Sequence, residues 1–225
     1  PPIEFPVFVK PIYNLEGMGI GARTVSREDY RSEPGYMWMR KLSGPHVSSD
    51  AVVDSGEVVW FGHIRGRTNQ HGGFDYWKRT TSEKLEARLS DWIGTQLPNY
   101  TGFLNIETIG GVIIECHLRI SPCSIPVYGW KWFQLSLRCL SGHRDTIEEG
   151  DGWSYLLPVY ADTYGLHTQP EPFSSDGLFV LPTLADGMPD RGNPPRKALI
   201  FGDDLEEMRE MRTRVDQTIE VVDAS

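Results

Sequence analysis

The sequence predicts an α+β fold built from antiparallel hairpins and a few helices, in one large domain or two small ones. Two observations carry this prediction. Short segments rich in β-branched and aromatic residues recur between glycine and proline turns along most of the 225 residues. Fewer segments repeat their apolar residues at helical spacing, and no internal repeat is visible.

The amino-terminal part of the chain predicts a series of short strands, because apolar residues alternate in runs between turn residues: residues 5–9, 23–25, 36–42, 47–53 and 57–64. The polar residues 26–35 leave room for a helical turn or two. Residues 66–73 carry no hydrophobic side chain, so we expect a mobile loop there.

The clearest predicted helix begins at Thr80, which can form a capping box with Glu83, and it ends at Gly94 and Pro98. Further elements are predicted from apolar runs and turns: strands at residues 102–108, 112–120 and 198–201, apolar runs at 155–160 and 178–181, and helices at 127–140 and 203–219.

Composition argues against several classes of protein. The formal charge of −9 and the pI of about 5.2 disfavour a general nucleic-acid binder, because a polyphosphate backbone requires clustered Lys and Arg. No stretch approaches the roughly 20 apolar residues of a membrane span. The three cysteines show no CxxC pattern, so we expect a reducing, cytoplasmic location and no disulfide scaffold.

Two predicted strands alternate charged and apolar residues. Glu115, His117 and Arg119 share one face of the second strand, and Glu107 lies on the first. A turn with an odd number of residues would bring Glu107 and Glu115 to the same side, whereas an even number would separate them. Close carboxylates suit Mg²⁺ that bridges nucleotide phosphates. A solvated sheet face with a Glu–Arg ion pair is the alternative interpretation.

Lys10 ends the first predicted strand and precedes glycines at positions 17, 19 and 21. Glycines let backbone N–H groups approach phosphates closely, and a lysine ammonium supplies positive charge. An ordinary hairpin turn is the alternative interpretation of this loop.

Three segments, in the order FPVFVKP…EGMGIGARTV, YMWMRKLSGPHVSSDAVV and GFLNIETIGGVIIECHLR, resemble the core of the ATP-grasp superfamily. These are the carboxylate–amine/thiol ligases typified by biotin carboxylase and D-alanine–D-alanine ligase. The resemblance runs from about Phe5 to Arg119. It implies an ATP-grasp fold with antiparallel sheets, flanking helices, a glycine-rich lid hairpin and a central Mg²⁺-binding hairpin. It also implies ATP and two Mg²⁺ ions as cofactors.

The resemblance assigns ATP-binding roles to residues of the first two segments: Lys10, Gly17, Gly19, Gly21, Met39, Arg40, Leu42 and His46. Lys10 would contact the α- and β-phosphates, and the glycines would form the lid. Backbone groups of Arg40 and Leu42 would contact the adenine edge at the hinge. Asp50 is a weaker candidate beside His46, on a strand that turns toward ribose and metal.

The third segment supplies the metal-binding and catalytic residues that the resemblance implies. Glu107, Glu115 and His117 would bind Mg²⁺, and Arg119 would steady an acyl phosphate. The family usually has asparagine where His117 stands, so the resemblance implies that His117 would be a nitrogen ligand or a phosphate hydrogen-bond donor. Met39 replaces a glutamate often seen at the hinge, which leaves backbone contacts to adenine.

Substrate contacts are expected from His63, Arg65 and Arg67, beside a loop that could close over the substrate and exclude water. An ordinary surface loop is the alternative interpretation. The expected layout is a partial lid subdomain at residues 1–40, the core with the metal hairpin at 41–145, and a carboxy-terminal extension at 146–225.

The activity implied by the resemblance is that of an ATP-dependent ligase, which activates a carboxylate as an acyl phosphate for attack by an amine or another nucleophile. The alternatives are a non-catalytic ATP-grasp-like nucleotide-binding or interaction protein, and an ATP-grasp kinase. Family members carry a further domain before these segments. We therefore expect a homodimer or association with a missing amino-terminal part, with small molecules as substrates and neither nucleic acid nor a membrane as partner.

Overall fold

The computed structural model describes residues 2–13, 21–69, 73–160, 173–174, 177–182 and 196–220. Within these ranges the chain forms strands β1 (Val7–Pro11), β2 (Arg23–Val25), β3 (Tyr36–Arg40), β4 (His46–Asp54), β5 (Glu57–Thr68), β6 (Phe74–Thr80), β7 (Gly102–Ile109), β8 (Val112–His117), β9 (Tyr155–Tyr160), β10 (Phe173–Ser174), β11 (Leu178–Pro182) and β12 (Arg196–Gly202). The helices are α1 (Glu83–Gln96), α2 (Ser124–Tyr128), α3 (Trp130–Leu140) and α4 (Leu205–Glu220). The predicted α+β class is confirmed.

The first three strands form a small antiparallel sheet in the order β2-β1-β3. Val7, Val9 and Val25 are buried on one face of it. Because side chains alternate along a strand, Phe8 and Lys10 lie on the other face of β1.

The remaining strands form one antiparallel sheet in the order β10-β11-β12-β9-β6-β5-β4-β7-β8. The pairing of β6 with β9 joins the two halves of this sheet, with Trp77 opposite Leu156. The expected core at residues 41–145 and the expected extension at 146–225 therefore contribute strands to the same sheet.

Helices cover both faces of the large sheet. On one face, α1 packs its buried Leu85, Leu89 and Ile93 against β4 and β7, and α4 packs on β9 and β12. On the other face, α2 and α3 bury a cluster of large side chains against β4, β9 and β12: Val127, Tyr128, Trp132, Val52, Leu156 and Phe201. This second face also carries the two glutamates of the β7–β8 hairpin, because Val52 and Ser48 lie on the same side of β4 and Glu107 is opposite Ser48.

The loop expected at residues 66–73 is largely part of a hairpin. β5 continues through Thr68, where Gly66 pairs with Trp77 and Arg67 pairs with Tyr76, and the Asn69 N–H donates to the Gly73 carbonyl. A lack of apolar side chains predicted a loop, but pairing with β6 supplies backbone hydrogen bonds that need no apolar side chain. Residues 70–72 lie outside the described residues.

The helix boundaries also differ from the prediction. Thr80 ends β6, and Ser82 caps α1 by accepting a hydrogen bond from the Leu85 N–H. The helix expected at residues 127–140 is divided by Gly129, which has a φ of 89°. A Cβ at this glycine would lie 2.8 Å from the Asp151 backbone nitrogen, so the close approach of that segment requires glycine. Residues 26–35 form turns without a helix.

Two features bear on the expectations from composition. Among the described residues, no helix combines the length and apolar character needed to cross a membrane. Cys116, Cys123 and Cys139 are free thiols.

Candidate functional site

The β7–β8 hairpin brings Glu107 and Glu115 to the same face of the sheet. Gly110 and Gly111, with φ of 58° and 78°, form a two-residue turn of the kind that favours glycine. With an even turn and regular pairing, Glu107 would oppose Ile114 and Glu115 would point to the other face. The register shifts by one residue between Glu107 and Thr108, however, so that Glu107 pairs directly with Glu115.

This β-bulge changes which face Glu115 occupies. From turn length alone, only a turn with an odd number of residues would bring Glu107 and Glu115 to the same face. The structure has an even turn and one extra residue, Ile114, in β8, which has the same effect on the facing of Glu115. Directly opposed residues have Cβ atoms about 5 Å apart, so the side chains of Glu107 and Glu115 start from neighbouring positions on this face.

His46 at the start of β4 holds the first of these carboxylates. Its Nε2 lies 2.9 Å from Oε2 of Glu107. The imidazole also packs edge-on against Phe74 and Trp77 of β6, with ring centroids 5.1 and 5.3 Å away. Contacts on two sides fix the ring, and the ring in turn orients Glu107.

The contact between His46 and Trp77 depends on a glycine. Gly66 lies between them in the same row of the sheet, paired with His46 on one side and with Trp77 on the other. A Cβ at this position would lie 2.6 Å from Cε1 of Phe74 and 3.1 Å from Cζ3 of Trp77. The absence of a side chain therefore lets residues from β4 and β6 meet across β5.

His117 stands beside the second carboxylate, with its Nε2 3.4 Å from Oε1 of Glu115. Their side chains are 30% and 49% exposed, whereas those of His46 and Glu107 are 18% and 28% exposed. The more open end of the site therefore lies at Glu115.

The donor set is compatible with Mg²⁺ held jointly with nucleotide phosphates. Glu107 and Glu115 each use one oxygen for a histidine and keep the other, and Mg²⁺ commonly takes one or two carboxylates with phosphates and water completing its shell. No group of three or more His, Cys, Asp or Glu side chains within the described ranges converges on one metal position. An all-protein metal cage that includes His117 is therefore not formed by these residues.

Asp50 belongs to the same face, but its carboxylate is fully engaged inside the protein. It is 3% exposed. Oδ1 accepts hydrogen bonds from the Asn105 amide and the Ser121 N–H, both at 2.9 Å, and Oδ2 accepts one from the Ser124 hydroxyl. Burial raises the pKa of Asp50, while these hydrogen bonds and the charge of Arg119 oppose the rise. Asp50 therefore links β4 and β7 to the segment that opens α2.

Arg119 lies beyond the end of β8, which stops at His117, so the expected strand through residue 120 is too long. The Arg119 side chain is exposed and donates from Nη1 to the Ile120 carbonyl at 3.0 Å. Its positive charge opposes the rise in the pKa of Asp50.

The residues expected to bind ATP divide between the two faces of the small sheet. Lys10 pairs with Met37, and Met39 pairs with Phe8, so Lys10 and Met39 share a face. Arg40 points to the opposite face, and Leu42 follows the end of β3. These directions are compatible with backbone contacts at the hinge, which do not depend on the Arg40 side chain.

The expected lid is only partly described. Gly21 has a φ of 76° and closely approaches Tyr36, where an added Cβ would lie 3.0 Å from the phenolic oxygen. Gly17 and Gly19 lie outside the described residues. An open groove runs beside the expected hinge, along Arg40, Leu42 and the segment before β1.

His63, Arg65 and Arg67 are on the face of the large sheet opposite the two glutamates. Ser49 pairs with both His63 and Ile106, whereas Glu107 pairs with Ser48, one residue out of phase. The three expected substrate residues therefore do not gather at the carboxylates.

His63 is a buried residue beneath α1. Its Nδ1 lies 2.8 Å from the Ser49 hydroxyl and its Nε2 lies 3.3 Å from Oε1 of Glu86. Burial lowers the pKa of His63, and Glu86 opposes that change. These contacts account for the polar atoms of this imidazole.

Sequence reasoning missed the aromatic support of the site and the bulge. Phe74 and Trp77 lie on β6, which was not predicted as a strand. The run FDYWKRT contains three aromatic residues and a threonine, and this composition favours a strand. No comparable signal in the sequence marks the extra residue of the bulge.

No protein-family model matches the chain, and no curated protein matches it by sequence. Solved structures do match it. An L-amino acid ligase from Bacillus licheniformis superposes with a TM-score of 0.58 at 16% identity, over 96% of this chain and 63% of that one. Phosphoribosylamine–glycine ligase from Thermotoga maritima gives 0.58 at 16% identity, over 94% and 65%.

A third match is the biotin carboxylase domain dimer of Hydrogenobacter thermophilus 2-oxoglutarate carboxylase, in complex with MgADP, ADP and bicarbonate. Its TM-score is 0.56 at 13% identity, over 95% of this chain and 56% of that one. The present chain thus spans less than two thirds of the length of each of these proteins. Such distant likeness carries information on the fold, and it agrees with the resemblance of the three sequence segments. The chain has the ATP-grasp fold.

Proposed function

We propose that this chain belongs to an ATP-dependent ligase that activates a carboxylate as an acyl phosphate for attack by an amine or another nucleophile. The observation that carries the proposal is the direct pairing of Glu107 with Glu115, with His46 bound to the first of them. Two glutamates at opposed positions of a hairpin on this fold are suited to bind Mg²⁺ that also holds nucleotide phosphates. The ligases among the similar structures support the same reaction class.

In this proposal, Glu107 and Glu115 hold Mg²⁺, which supplies positive charge to the transferring phosphoryl group. His46 keeps Glu107 oriented, because it is fixed by Phe74 and Trp77. Phosphoryl transfer depends mainly on such positioning and on charge neutralisation.

The other candidate site residues are proposed to contact ATP and the carboxylate substrate. Lys10, beside the lid glycines, binds the α- and β-phosphates, and Met39 with the backbone of Arg40 and Leu42 borders the adenine. Arg119 is exposed and carries the guanidinium fork suited to a carboxylate or an acyl phosphate. His117, beside Glu115, donates a hydrogen bond to a phosphate.

The test of this proposal is the thermal unfolding of the protein with ATP and Mg²⁺. Ligand at 100 times its Kd stabilises a protein by about 2.7 kcal/mol, so a clear rise in the midpoint is expected. Removing Mg²⁺ with EDTA should abolish most of the rise. The Glu107→Gln and Glu115→Gln variants should lose it too, because each removes a charged metal ligand but keeps the shape of the side chain.

Glu28→Gln provides the matched control, because Glu28 is an exposed glutamate in the turns before β3. It should respond to MgATP as the natural sequence does. A rise in the midpoint that survives in both Glu107→Gln and Glu115→Gln would show that the metal site has been assigned to the wrong residues.

A second candidate is a non-catalytic nucleotide-binding protein of the same fold. It is favoured by His117, which stands where the family usually has asparagine, and by the lack of a three-ligand cluster among the described residues. Phosphate release from ATP in the presence of a panel of carboxylic acids and amines separates the candidates. Release that requires an acid supports the ligase, release with phosphorylation of a hydroxyl supports a kinase, and MgATP binding without release supports the non-catalytic protein.

We also propose a cytoplasmic location and assembly as a homodimer or with a further part of the ligase. The free cysteines support a reducing compartment. Size-exclusion chromatography with light scattering would measure the assembly.

A further inference from the structure

The outer face of the large sheet, opposite the two glutamates, has a strip that the described helices leave uncovered. There α1 packs on β5 together with β4 and β7, and α4 packs on β9 and β12. The end of β5 beyond Ile64 and its partner β6 lie between these helices. Three cationic side chains of this strip are exposed: Arg65, Arg67 and Lys78.

The register places these cations close together. Arg65 pairs directly with Lys78, so their Cβ atoms are about 5 Å apart on the same face. Arg67 is two residues beyond Arg65 on the same strand and face, at about 7 Å. The Cβ atoms of the three cationic side chains thus form a compact triangle on this face.

The carboxylates that contact this part of the sheet are directed to other partners. Oε1 of Glu86 on α1 contacts His63, and Asp75 on β6 binds Arg209 and Arg212 of α4. Within the ranges that the structure describes, no ion pair involves Arg65 or Arg67. The charge of this strip is therefore not compensated by these neighbours.

An aromatic side chain supports the third cation. The Lys78 ammonium lies over the ring of Tyr155, 5.1 Å from its centroid. The contact with the phenol raises the pKa of Lys78. This arrangement keeps the ammonium on the open strip.

Like charges placed directly opposite each other destabilise a sheet, and an anion bound between them relieves the repulsion. Guanidinium groups form paired hydrogen bonds with phosphate oxygens, and an ammonium adds a compact point charge. We propose that Arg65, Arg67 and Lys78 form a binding site for a small anion that carries two or more phosphate groups. The site lies on the face opposite Glu107 and Glu115, so it is separate from the proposed metal and nucleotide site.

The test uses inorganic tripolyphosphate as the probe in titration calorimetry, with the full chain in EDTA. Because EDTA removes Mg²⁺, metal-dependent binding at Glu107 and Glu115 does not contribute. The natural sequence should bind tripolyphosphate about tenfold or more tightly than orthophosphate, since the larger anion reaches more of the cations. The triple variant Arg65→Gln, Arg67→Gln, Lys78→Gln should lose at least about tenfold in affinity.

A matched variant separates a specific site from general charge. Arg31→Gln, Arg88→Gln, Arg144→Gln removes the same positive charge from exposed positions outside the strip, and its affinity should be unchanged. Equal losses of tripolyphosphate affinity in the two triple variants would overturn the proposal. So would the absence of tripolyphosphate binding to the natural sequence at millimolar concentration.

Lys10→Ala distinguishes this site from the nucleotide site. Tripolyphosphate binding that is lost in Lys10→Ala and kept in the strip variant would assign the anion to the nucleotide face and overturn the proposal. The strip variant should melt at the same or a higher temperature, because it removes like-charge repulsion. If the triple variant fails to fold, the single variant Arg67→Gln gives the same comparison, and unchanged affinity there would count against the site.

Discussion

The Asp50 carboxylate lies at the meeting point of β4, β7 and the segment that leads into α2. It accepts hydrogen bonds from Asn105, from the Ser121 N–H and from the Ser124 hydroxyl. The resemblance to the ATP-grasp superfamily makes Asp50 a weaker candidate for contact with ribose or metal, yet each of its oxygens already has a partner. These hydrogen bonds hold the segment that contains Ser121 and opens α2 at Ser124 against the sheet.

Replacing Asp50 by alanine should destabilise the protein by about 3 kcal/mol, because the buried Asn105 and Ser124 side chains and the half-buried Ser121 N–H lose this acceptor. Urea denaturation followed by tryptophan fluorescence would measure the change. Asp54→Ala, at the exposed end of the same strand, is the control and should cost less than about 1 kcal/mol. A loss for Asp50→Ala no larger than the control would contradict this account of the network.

The burial of Asp50 should also make the stability of the protein depend on pH. Because burial raises the pKa of Asp50, the native state keeps the proton to a higher pH than the unfolded chain does. The stability from this group is complete below the ordinary aspartate pKa and declines as the pH rises through the raised value. The free energy of unfolding of the natural protein should therefore fall relative to that of Asp50→Asn as the pH is raised from 4. A rise would contradict the direction of the pKa shift.

At the scale of elements, Gly66 shows how one strand shapes the contact between its neighbours. The strands β4 and β6 are separated by β5, yet His46 and Trp77 meet because Gly66 carries no side chain. Here glycine is needed for the close approach of two side chains, and its effect reaches Glu107 through His46.

Gly66→Ala should destabilise the protein by roughly 1–3 kcal/mol, because the new methyl group overlaps Phe74 and Trp77. Gly94→Ala is the contrasting control. Gly94 is exposed in α1, with the nearest atom 3.8 Å from an added Cβ, so alanine there should stabilise the helix by roughly 0.5–1 kcal/mol. Both changes can be measured by thermal and urea denaturation. An unchanged free energy of unfolding in Gly66→Ala would mean that Phe74 and Trp77 move aside without destabilising the protein.

The sequence predicted most strands and the approximate positions of the main helices, but it missed some of their boundaries. It placed the α1 cap at Thr80 because Glu83 follows at capping-box spacing. In the structure Thr80 is used in β6, and Ser82 caps the helix. Local patterns could not decide between these two residues, because the end of β6 is fixed by its pairing with β5.

At the scale of the whole molecule, the two sheets differ in how much apolar surface stabilises them. Among the described residues, the small sheet buries Val7, Val9 and Val25. In the large sheet, β4 lies between β5 and β7, and helices pack on both of its faces, so that Val52 and Val53 have no exposed surface. Regions with few buried apolar contacts open at lower free energy.

We therefore expect amide hydrogen exchange at Val52 and Val53 to be at least about 100-fold slower than at Val9 and Met39, after correction for intrinsic rates. NMR or mass spectrometry of the full chain would measure this. Equal protection in the two sheets would show that they unfold as one cooperative unit, and the separate stability of the small sheet would then be rejected.

The sequence by itself determined which residues share a face within one strand, because side chains alternate with a period of two along any extended segment. It therefore grouped Glu115 with His117, and the order of its three segments indicated the ATP-grasp fold. Tertiary structure decided which faces of neighbouring strands coincide. The bulge at Ile114 joined Glu107 to Glu115, and the phase of β5 against β4 and β7 placed His63 on the opposite face. Register depends on packing between segments distant in the chain, and a local pattern does not contain that information.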